Sequence, residues 1–480
     1  MNAPLRRVAI SVLVLFTLLI LNVNYIQVVR ADKLRDDPSN TRVLAEEYDR
    51  QRGSIIVDGK EIALSTPTPG RLKYLRQYPQ GELYAGVTGY YSLVYSKTRL
   101  EQTENDLLSG SDPRLVLRRL ADLFTGRDPA GGDVVLTLDP AVQQAAMTGL
   151  QGQTGAVVAL DPSTGKILGL ASTPSFDPTK LSSHDPAAIR AYRKSLNDDQ
   201  LTNQAIDQRY SPGSVFKVVV SAAALATGKY TPDTQIAAPD KLTLPGTTTT
   251  LENFAGESCS STGKQALIDA LRISCNTAFA QLGIDLGEDK VRSMAEAFGI
   301  DDQKFYMPLK VAGSTLGSID NDAQLGVSSI GQQDVQLTPM QAAMIAAAVA
   351  NHGSLMKPYL VDRVTAPDLA VVDRTEPQEM SKPFSSDVAK DLTEMMTAVV
   401  ANGTGRRAQI DGVQVAGKTG TAENATNASD HSWFIGFAPA DDPKIAVAVF
   451  IKHGGSTGGD ISAPIAKSVI QAYLAGQGGH

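Results

Sequence analysis

The chain has 480 residues, 42% of them hydrophobic and 6% aromatic, with a formal net charge of -7. That length is enough for two or three cores of about 100 to 250 residues each. The acidic balance and the lack of any dense Lys/Arg run exclude a nucleic-acid partner, because phosphate binding needs a basic surface.

Arg6 and Arg7 precede an uncharged stretch from Val8 to Val29. At about 1.5 Å rise per residue such a helix covers roughly 33 Å, enough for a bilayer core, although Asn22, Asn24 and Gln27 weaken its outer third. A signal peptide is the competing reading, and it needs a small-residue cleavage site. Asn22-Val23-Asn24-Tyr25 is a poor one. Residues 1–30 are therefore expected to form a cytoplasmic tip and an uncleaved, single-pass transmembrane anchor. The basic pair keeps the N-terminus cytoplasmic and the rest of the chain lies outside the cell membrane.

Residues 31–133 read as a small non-catalytic module with a structural or docking role. Ile55-Ile56-Val57-Asp58-Gly59-Lys60-Glu61-Ile62 predicts a hairpin closed at Asp58-Gly59. Tyr74, Tyr78, Tyr84, Tyr90, Tyr91 and Tyr95 are expected as half-buried packing rather than as a ligand surface. Gly126 to Gly132 marks a boundary, and a second domain, residues 134–480, starts with a strand over 134–138 and a helix opened by Asp139-Pro140.

Strand signals follow at 155–160 and 166–170, joined by the turn Asp161-Pro162-Ser163-Thr164-Gly165. Helical runs come next over Val215–Thr227, Ala266–Leu282 and Thr338–Asn351. Strands are then expected at Val413–Ala416, His431–Ala438 and Lys444–Lys452, before a last helix. Strands, then helices, then strands predict an α+β fold in which N- and C-terminal strands share one sheet and a helical lobe packs against it.

The only two cysteines, Cys259 and Cys275, are separated by 16 positions. Outside the cytoplasm they are free to pair as a disulfide, with two unrelated buried thiols as the alternative.

Three short motifs occur in the order Ser214-Val215-Phe216-Lys217, Ser274-Cys275-Asn276 and Lys418-Thr419-Gly420. The S-x-x-K spacing also occurs at Ser163, Ser261 and Ser354. The first two lie in Ser-Thr-Gly-Lys turns, and the lysine after Ser354 is stopped by Pro358. Ser214 alone opens a helix of small and β-branched residues. It has Lys217 on the same face and the positive end of the helix dipole beside it. A lysine is a poor base until burial and nearby cations lower its pKa, and Lys418 is a candidate for that cation. Serine activated by lysine needs no histidine, metal or cofactor, and the five histidines show no zinc-ligand spacing.

Gly412 to Thr419 also matches a nucleotide-binding loop on paper. Such a loop must open a helix, whereas the polar Thr421 to Asn427 and a strand-like run follow here. On an edge strand, threonine hydroxyls and a lysine instead hold a carboxylate while the backbone pairs with an extended peptide.

The three motifs resemble those of penicillin-binding proteins and class A β-lactamases. The likeness extends to Gly155–Pro178, Asn203–Lys217 and Val415–Glu423, and so to a transpeptidase domain over residues 135–475. Arg52-Gly53-Ser54-Ile55 and Val87-Thr88-Gly89-Tyr90-Tyr91-Ser92 are similar to the N-terminal module of class B members, most of all the short actinobacterial type. The resemblance implies a serine β-lactamase-like fold, with a central antiparallel sheet flanked by helices and a helical lobe.

It also implies an activity, peptidoglycan D,D-transpeptidation on stem peptides ending in D-alanyl-D-alanine, with acylation by β-lactam antibiotics. Ser214 would be the acylated nucleophile, Lys217 its base, and Ser274 a proton relay to the leaving group. Asn276 would bind peptide amides and Lys418 would supply positive charge. Thr419 and Thr421, flanking Gly420, would hold the donor carboxylate. The N–H groups of Ser214 and Thr421 would form the oxyanion hole. A Cys259–Cys275 bond would pin the active-site loop. Rival readings are a β-lactamase, a D,D-carboxypeptidase and a non-catalytic β-lactam-binding scaffold. Residues 31–133 are too few for a glycosyltransferase, so glycan polymerisation would fall to a polytopic membrane partner.

Overall fold

The structure, a computed structural model, describes residues 3–30, 47–115, 130–302, 307–422 and 429–477. Of the expected boundary, 126–129 lies outside the described residues, as do Glu423 and 424–427.

Helix α1 (Ala3–Asn24) continues as a π-helical turn over Tyr25–Val29. The segment Arg6–Val29 is long and apolar enough to cross a membrane, and none of its apolar window is buried inside the molecule.

Strands β1 (Ile55–Val57) and β2 (Lys60–Pro67) form the expected hairpin. Asp58 and Gly59 have φ of 47° and 70°, the mirror-image turn geometry that matches strand twist. β3 (Tyr74–Gln77) pairs with β2, and helix α2 (Gly81–Thr88) follows. Of the tyrosines, Tyr78, Tyr84, Tyr90 and Tyr91 are buried, deeper than expected, whereas Tyr95 is exposed.

Part of this small core is ionic. Buried Glu101 accepts from Arg52 Nε at 2.6 Å, from Arg76 Nε at 2.7 Å and from the Tyr78 hydroxyl at 3.0 Å. Losing one partner of such a cluster costs about 3 to 5 kcal/mol, because the other charges stay buried.

Strand β4 (Asp133–Leu136) runs parallel to β1, and helix α3 (Pro140–Gly149) follows. As Asp139-Pro140 predicted, the Asp139 carboxylate caps α3 by accepting from the N–H groups of Ala141 and Val142 at 2.8 and 3.0 Å. Strands β5 (Gly155–Leu160) and β6 (Ile167–Thr173) pair antiparallel. Helices α4 (Lys217–Ala226), α5 (Leu267–Ile273), α6 (Asn276–Leu286) and α7 (Pro339–Ala350) make the helical lobe.

Strands β7 (Val361–Thr365) and β8 (Val371–Arg374) then complete a six-stranded sheet in the order β8-β7-β4-β1-β2-β3. That sheet joins the N-terminal module to the rest of the chain. Helix α8 (Ser386–Asn402), strands β9 (Ala416–Ala422), β10 (His431–Ala438) and β11 (Ile445–Ile451), and helix α9 (Ser462–Gln477) end the chain.

The central sheet is antiparallel in the order β9-β10-β11-β5-β6, so N- and C-terminal strands do share it. Alternation sorts its side chains between two cores. Val157, Ala159, Val447 and Val449 pack with Val142 of α3 and Val469 of α9. Ala156, Val158, Ala448 and Phe450 join the core of α4 and α7.

Two sequence expectations need correction. The run Ala266–Leu282 is not one helix, because Ser274 takes a left-handed conformation that ends α5 and Cys275 precedes α6. The strand expected at Val413–Ala416 instead spans Ala416–Ala422, where Lys418, Thr419 and Thr421 pair with β10 despite their polarity.

Candidate active site

Ser214 lies in a short 3-10 turn, Gly213–Phe216, that runs directly into α4. Gly213 has φ of +53°, and a Cβ there would lie 2.4 Å from the Thr421 carbonyl oxygen. A Cβ on Gly420 would lie 2.7 Å from the Pro212 carbonyl. These two glycines let the turn bearing Ser214 touch the edge strand β9 backbone to backbone.

Lys217, the first residue of α4, is fully buried. Its Nζ donates to the Ser274 carbonyl at 2.7 Å and to Asn276 Oδ1 at 2.7 Å, and it lies 3.3 Å from Ser274 Oγ. Lys418 reaches the same hydroxyl from β9, with Nζ 2.9 Å from Ser274 Oγ and 2.8 Å from the Thr419 carbonyl. Burial pushes the Lys217 amine well below the ordinary lysine value, and the charge of Lys418 pushes it further. Burial alone brings Lys418 down to about 7. Ser214 Oγ makes no hydrogen bond among the described residues and lines an open cleft of about 740 Å³.

A neutral amine has two N–H donors and one lone pair. The two short bonds of Lys217 account for the donors and leave its lone pair open to take a proton, while the Ser274 hydroxyl oxygen accepts from Lys418.

Local sequence explains how Ser274 comes to stand there. Its φ of +66° and ψ of 40° put it just past α5, with its N–H on the Leu271 carbonyl at 3.1 Å and the Cys275 N–H on the Ala270 carbonyl at 2.9 Å. This is the Schellman pattern with serine in the place usually held by glycine. Asn276 then opens α6. Cys275 is bonded to Cys259, with the two Cα atoms 5.9 Å apart.

Thr419 and Thr421 share the cleft-facing side of β9, while Lys418 and Gly420 face the turn that carries Ser214. Thr404, in the loop after α8, holds Thr419 through a 2.6 Å contact between hydroxyls. The nucleotide-loop match fails in space, since Ala416 to Thr419 is strand and not the start of a helix.

Sequence reasoning did not find Asn253 or Thr404. Asn253 Oδ1 accepts from the N–H groups of Asn276 at 2.9 Å and Thr277 at 3.1 Å, so a distant residue caps α6. No local pattern marks that pairing. The Gly403-Thr404-Gly405 turn was a possible signal for Thr404. Exposed Phe254 and Thr457 also line the cleft.

The family described as "Penicillin binding protein transpeptidase domain" matches residues 155–471, and "Penicillin binding protein A dimerisation domain" matches residues 52–134. The chain is 50% identical over 489 residues to the peptidoglycan D,D-transpeptidase PbpA of Mycolicibacterium smegmatis, covering 99% of each. It is 49% identical over 494 residues to the protein of that name from Mycobacterium tuberculosis, covering 99% of this chain and 100% of the relative. Among solved structures, the ceftriaxone acyl-enzyme complex of M. tuberculosis penicillin-binding protein A aligns with a TM-score of 0.87 at 48% identity. That alignment covers 90% of this chain and 100% of that one. The penicillin G acyl-enzyme complex of the same protein aligns with a TM-score of 0.85, also at 48% identity, over 88% of this chain and 100% of that one.

Proposed function

The chain belongs to the penicillin-binding protein transpeptidase family, and from that premise we propose a reaction path for its residues. It is a peptidoglycan D,D-transpeptidase that β-lactams acylate. Ser214 Oγ attacks the carbonyl carbon of the penultimate D-alanine in the donor stem peptide, and the C–N bond to the terminal D-alanine breaks. The serine proton passes to neutral Lys217, and Ser274 relays a proton to the leaving amine. An acceptor amine then attacks the acyl-serine ester, which releases Ser214 and forms the cross-link. The N–H groups of Ser214 and Thr421 stabilise the oxyanion in each step. Thr419 and Thr421, with Lys418 behind them, receive the donor carboxylate. Asn276 binds the peptide amide, and the disulfide braces its helix.

The observation that carries this path is the Ser274 hydroxyl held between a lysine lowered by burial and a second lysine. Labelling with a fluorescent penicillin tests it. Ser214→Ala should take no covalent label, and a labelled Ser214→Ala variant would end the assignment. Release of label within seconds would favour a β-lactamase, and slow release with hydrolysis of D-alanyl-D-alanine peptides a carboxypeptidase.

The chain divides as an anchor over 1–30, a module over 31–133 and a catalytic domain over 134–480. Arg6 and Arg7 place the N-terminus in the cytoplasm and the catalytic domain outside it. The anchor and module dock a polytopic glycosyltransferase that supplies the glycan strands. Co-purification that survives deletion of both elements would rule that partner surface out.

A further inference from the structure

Residues 203–213 form the strap that leads into Ser214, and the first half of it is held from the N-terminal module. Asn203 Nδ2 donates to the Gly86 carbonyl of α2 at 2.8 Å. Arg99, also in the module, grips Asp207 with both prongs of its guanidinium, Nη1 to Oδ1 at 2.6 Å and Nη2 to Oδ2. The same Oδ2 accepts the main-chain N–H of Asn203 at 2.7 Å, so this one carboxylate ties the start of the strap to its fifth residue.

Beyond Asp207 the strap has little slack. Tyr210 exchanges main-chain bonds with Leu337 at 2.8 and 2.9 Å, Ser211 O accepts from Trp433 Nε1 at 3.0 Å, and the Gly213 N–H reaches Gly331 O at 3.0 Å. Only Gln208 and Arg209 lie between Asp207 and this bonded run, so the position of Asp207 sets how the run that ends at Ser214 is entered.

Two features separate this contact from ordinary packing. Arg99 has φ of +54°, a conformation that is strained for a residue with a Cβ, at the point where its side chain leaves the module. The ion pair is also 20% and 26% exposed, so it adds little net stability, whereas its bidentate form fixes orientation.

We propose that Arg99 is a positioning residue for acylation: through Asp207 it sets the strap that presents Ser214, so the module tunes a serine it does not touch. This rests on Ser214 being the acylated nucleophile.

The test uses the full-length chain in detergent and a fluorescent penicillin, with the non-covalent dissociation constant and the first-order acylation rate resolved separately. Label amplitude counts folded sites and the rate constant reports their reactivity, so misfolding lowers the first and not the second. Arg99→Ala should acylate about tenfold more slowly with its dissociation constant unchanged. Arg99→Lys, which keeps the charge, should recover part of the rate. Asp207→Asn still offers an acceptor to Asn203, and combined with Arg99→Ala it should be no slower than Arg99→Ala alone. A wild-type rate in Arg99→Ala overturns the proposal, as does a loss of amplitude alone or effects that multiply in the double variant. An unlabelled wild-type chain would remove the Ser214 assignment and this proposal together, whereas a labelled wild type with a normal Arg99→Ala removes only the proposal.

Discussion

Lys217 Nζ donates to the main-chain carbonyl of Ser274 at 2.7 Å, a bond that holds the lysine 3.3 Å from the Ser274 hydroxyl. Backbone and hydroxyl of one residue thus do different things, and substitution separates them. Ser274→Gly suits the left-handed backbone and keeps the carbonyl, but loses the hydroxyl between Lys217 and Lys418. It should acylate about a hundredfold more slowly than the wild type while unfolding at a similar temperature. Rapid-quench labelling with penicillin reads the rate, and an unchanged rate would remove Ser274 from the proton path.

The two lysines make the pH dependence directional. On the proposed path acylation needs Lys217 neutral, so its acid limb should fall well below the ordinary lysine range. Lys418 is one of the two causes of that lowering. Lys418→Met removes its charge, so the Lys217 pKa should rise and the acid limb move to higher pH, with the plateau also reduced. A pH–rate profile with an unmoved limb would show that the charge of Lys418 is not felt at Lys217.

Stability follows from the same shift. Between about 7 and the ordinary lysine value of 10.5, unfolded Lys418 holds a proton that the folded residue does not. Stability from this group therefore rises with pH across that window and is lost as pH falls through it. Denaturant midpoints measured at both ends should rise less steeply for Lys418→Met than for the wild type.

Asn253 and the disulfide brace one helix start in different ways. Asn253→Ala removes the acceptor for the Asn276 and Thr277 N–H groups and should cost about 1 to 2 kcal/mol. Asn253→Asp keeps an acceptor at the positive end of α6 and should cost less. Replacing Cys259 and Cys275 by serine opens a loop with a sequence separation of 16, which the chain-entropy model puts at about 3 kcal/mol. Urea titration checks both sets, and Asn253→Asp proving worse than Asn253→Ala would contradict the capping role.

The hairpin at Asp58-Gly59, the cap at Asp139 and strands β5, β6, β10 and β11 of the central sheet were legible because each is set by local chemistry or by a short continuous apolar run. The three motifs were legible in order, and the structure joins them, with Lys217 bonded to Ser274 and Asn276 and Lys418 bonded to Ser274. The break at Ser274 was not, because the left-handed position after α5 is filled by serine where glycine would have signalled it. Strand β9 was misplaced because its polar side chains face a cleft and a lysine pocket, so hydrophobic alternation does not mark it. Asn253 and Arg99 act on segments 23 and 108 residues away, pairings that follow from tertiary packing and leave no local trace.

Gly213 allows a sharper test of how Ser214 is presented. Its φ of +53° lies in the left-handed region, as does that of other turn glycines, among them Gly228 at +70°, where a Cβ would meet open space. Gly228→Ala should therefore cost only the backbone strain, about 1 to 2 kcal/mol, and leave acylation unchanged. At Gly213 the same methyl would lie 2.4 Å from the Thr421 carbonyl and 3.2 Å from the Ala422 Cα. Relief requires the turn to move off β9, which separates the N–H of Ser214 from that of Thr421. Gly213→Ala should then lose acylation by more than its stability loss explains, about a hundredfold for a displacement near 1 Å. Comparing the two variants by denaturation and by penicillin labelling distinguishes strain from displacement. Equal acylation in both would mean that the close approach of the turn to β9 is not what orients the serine.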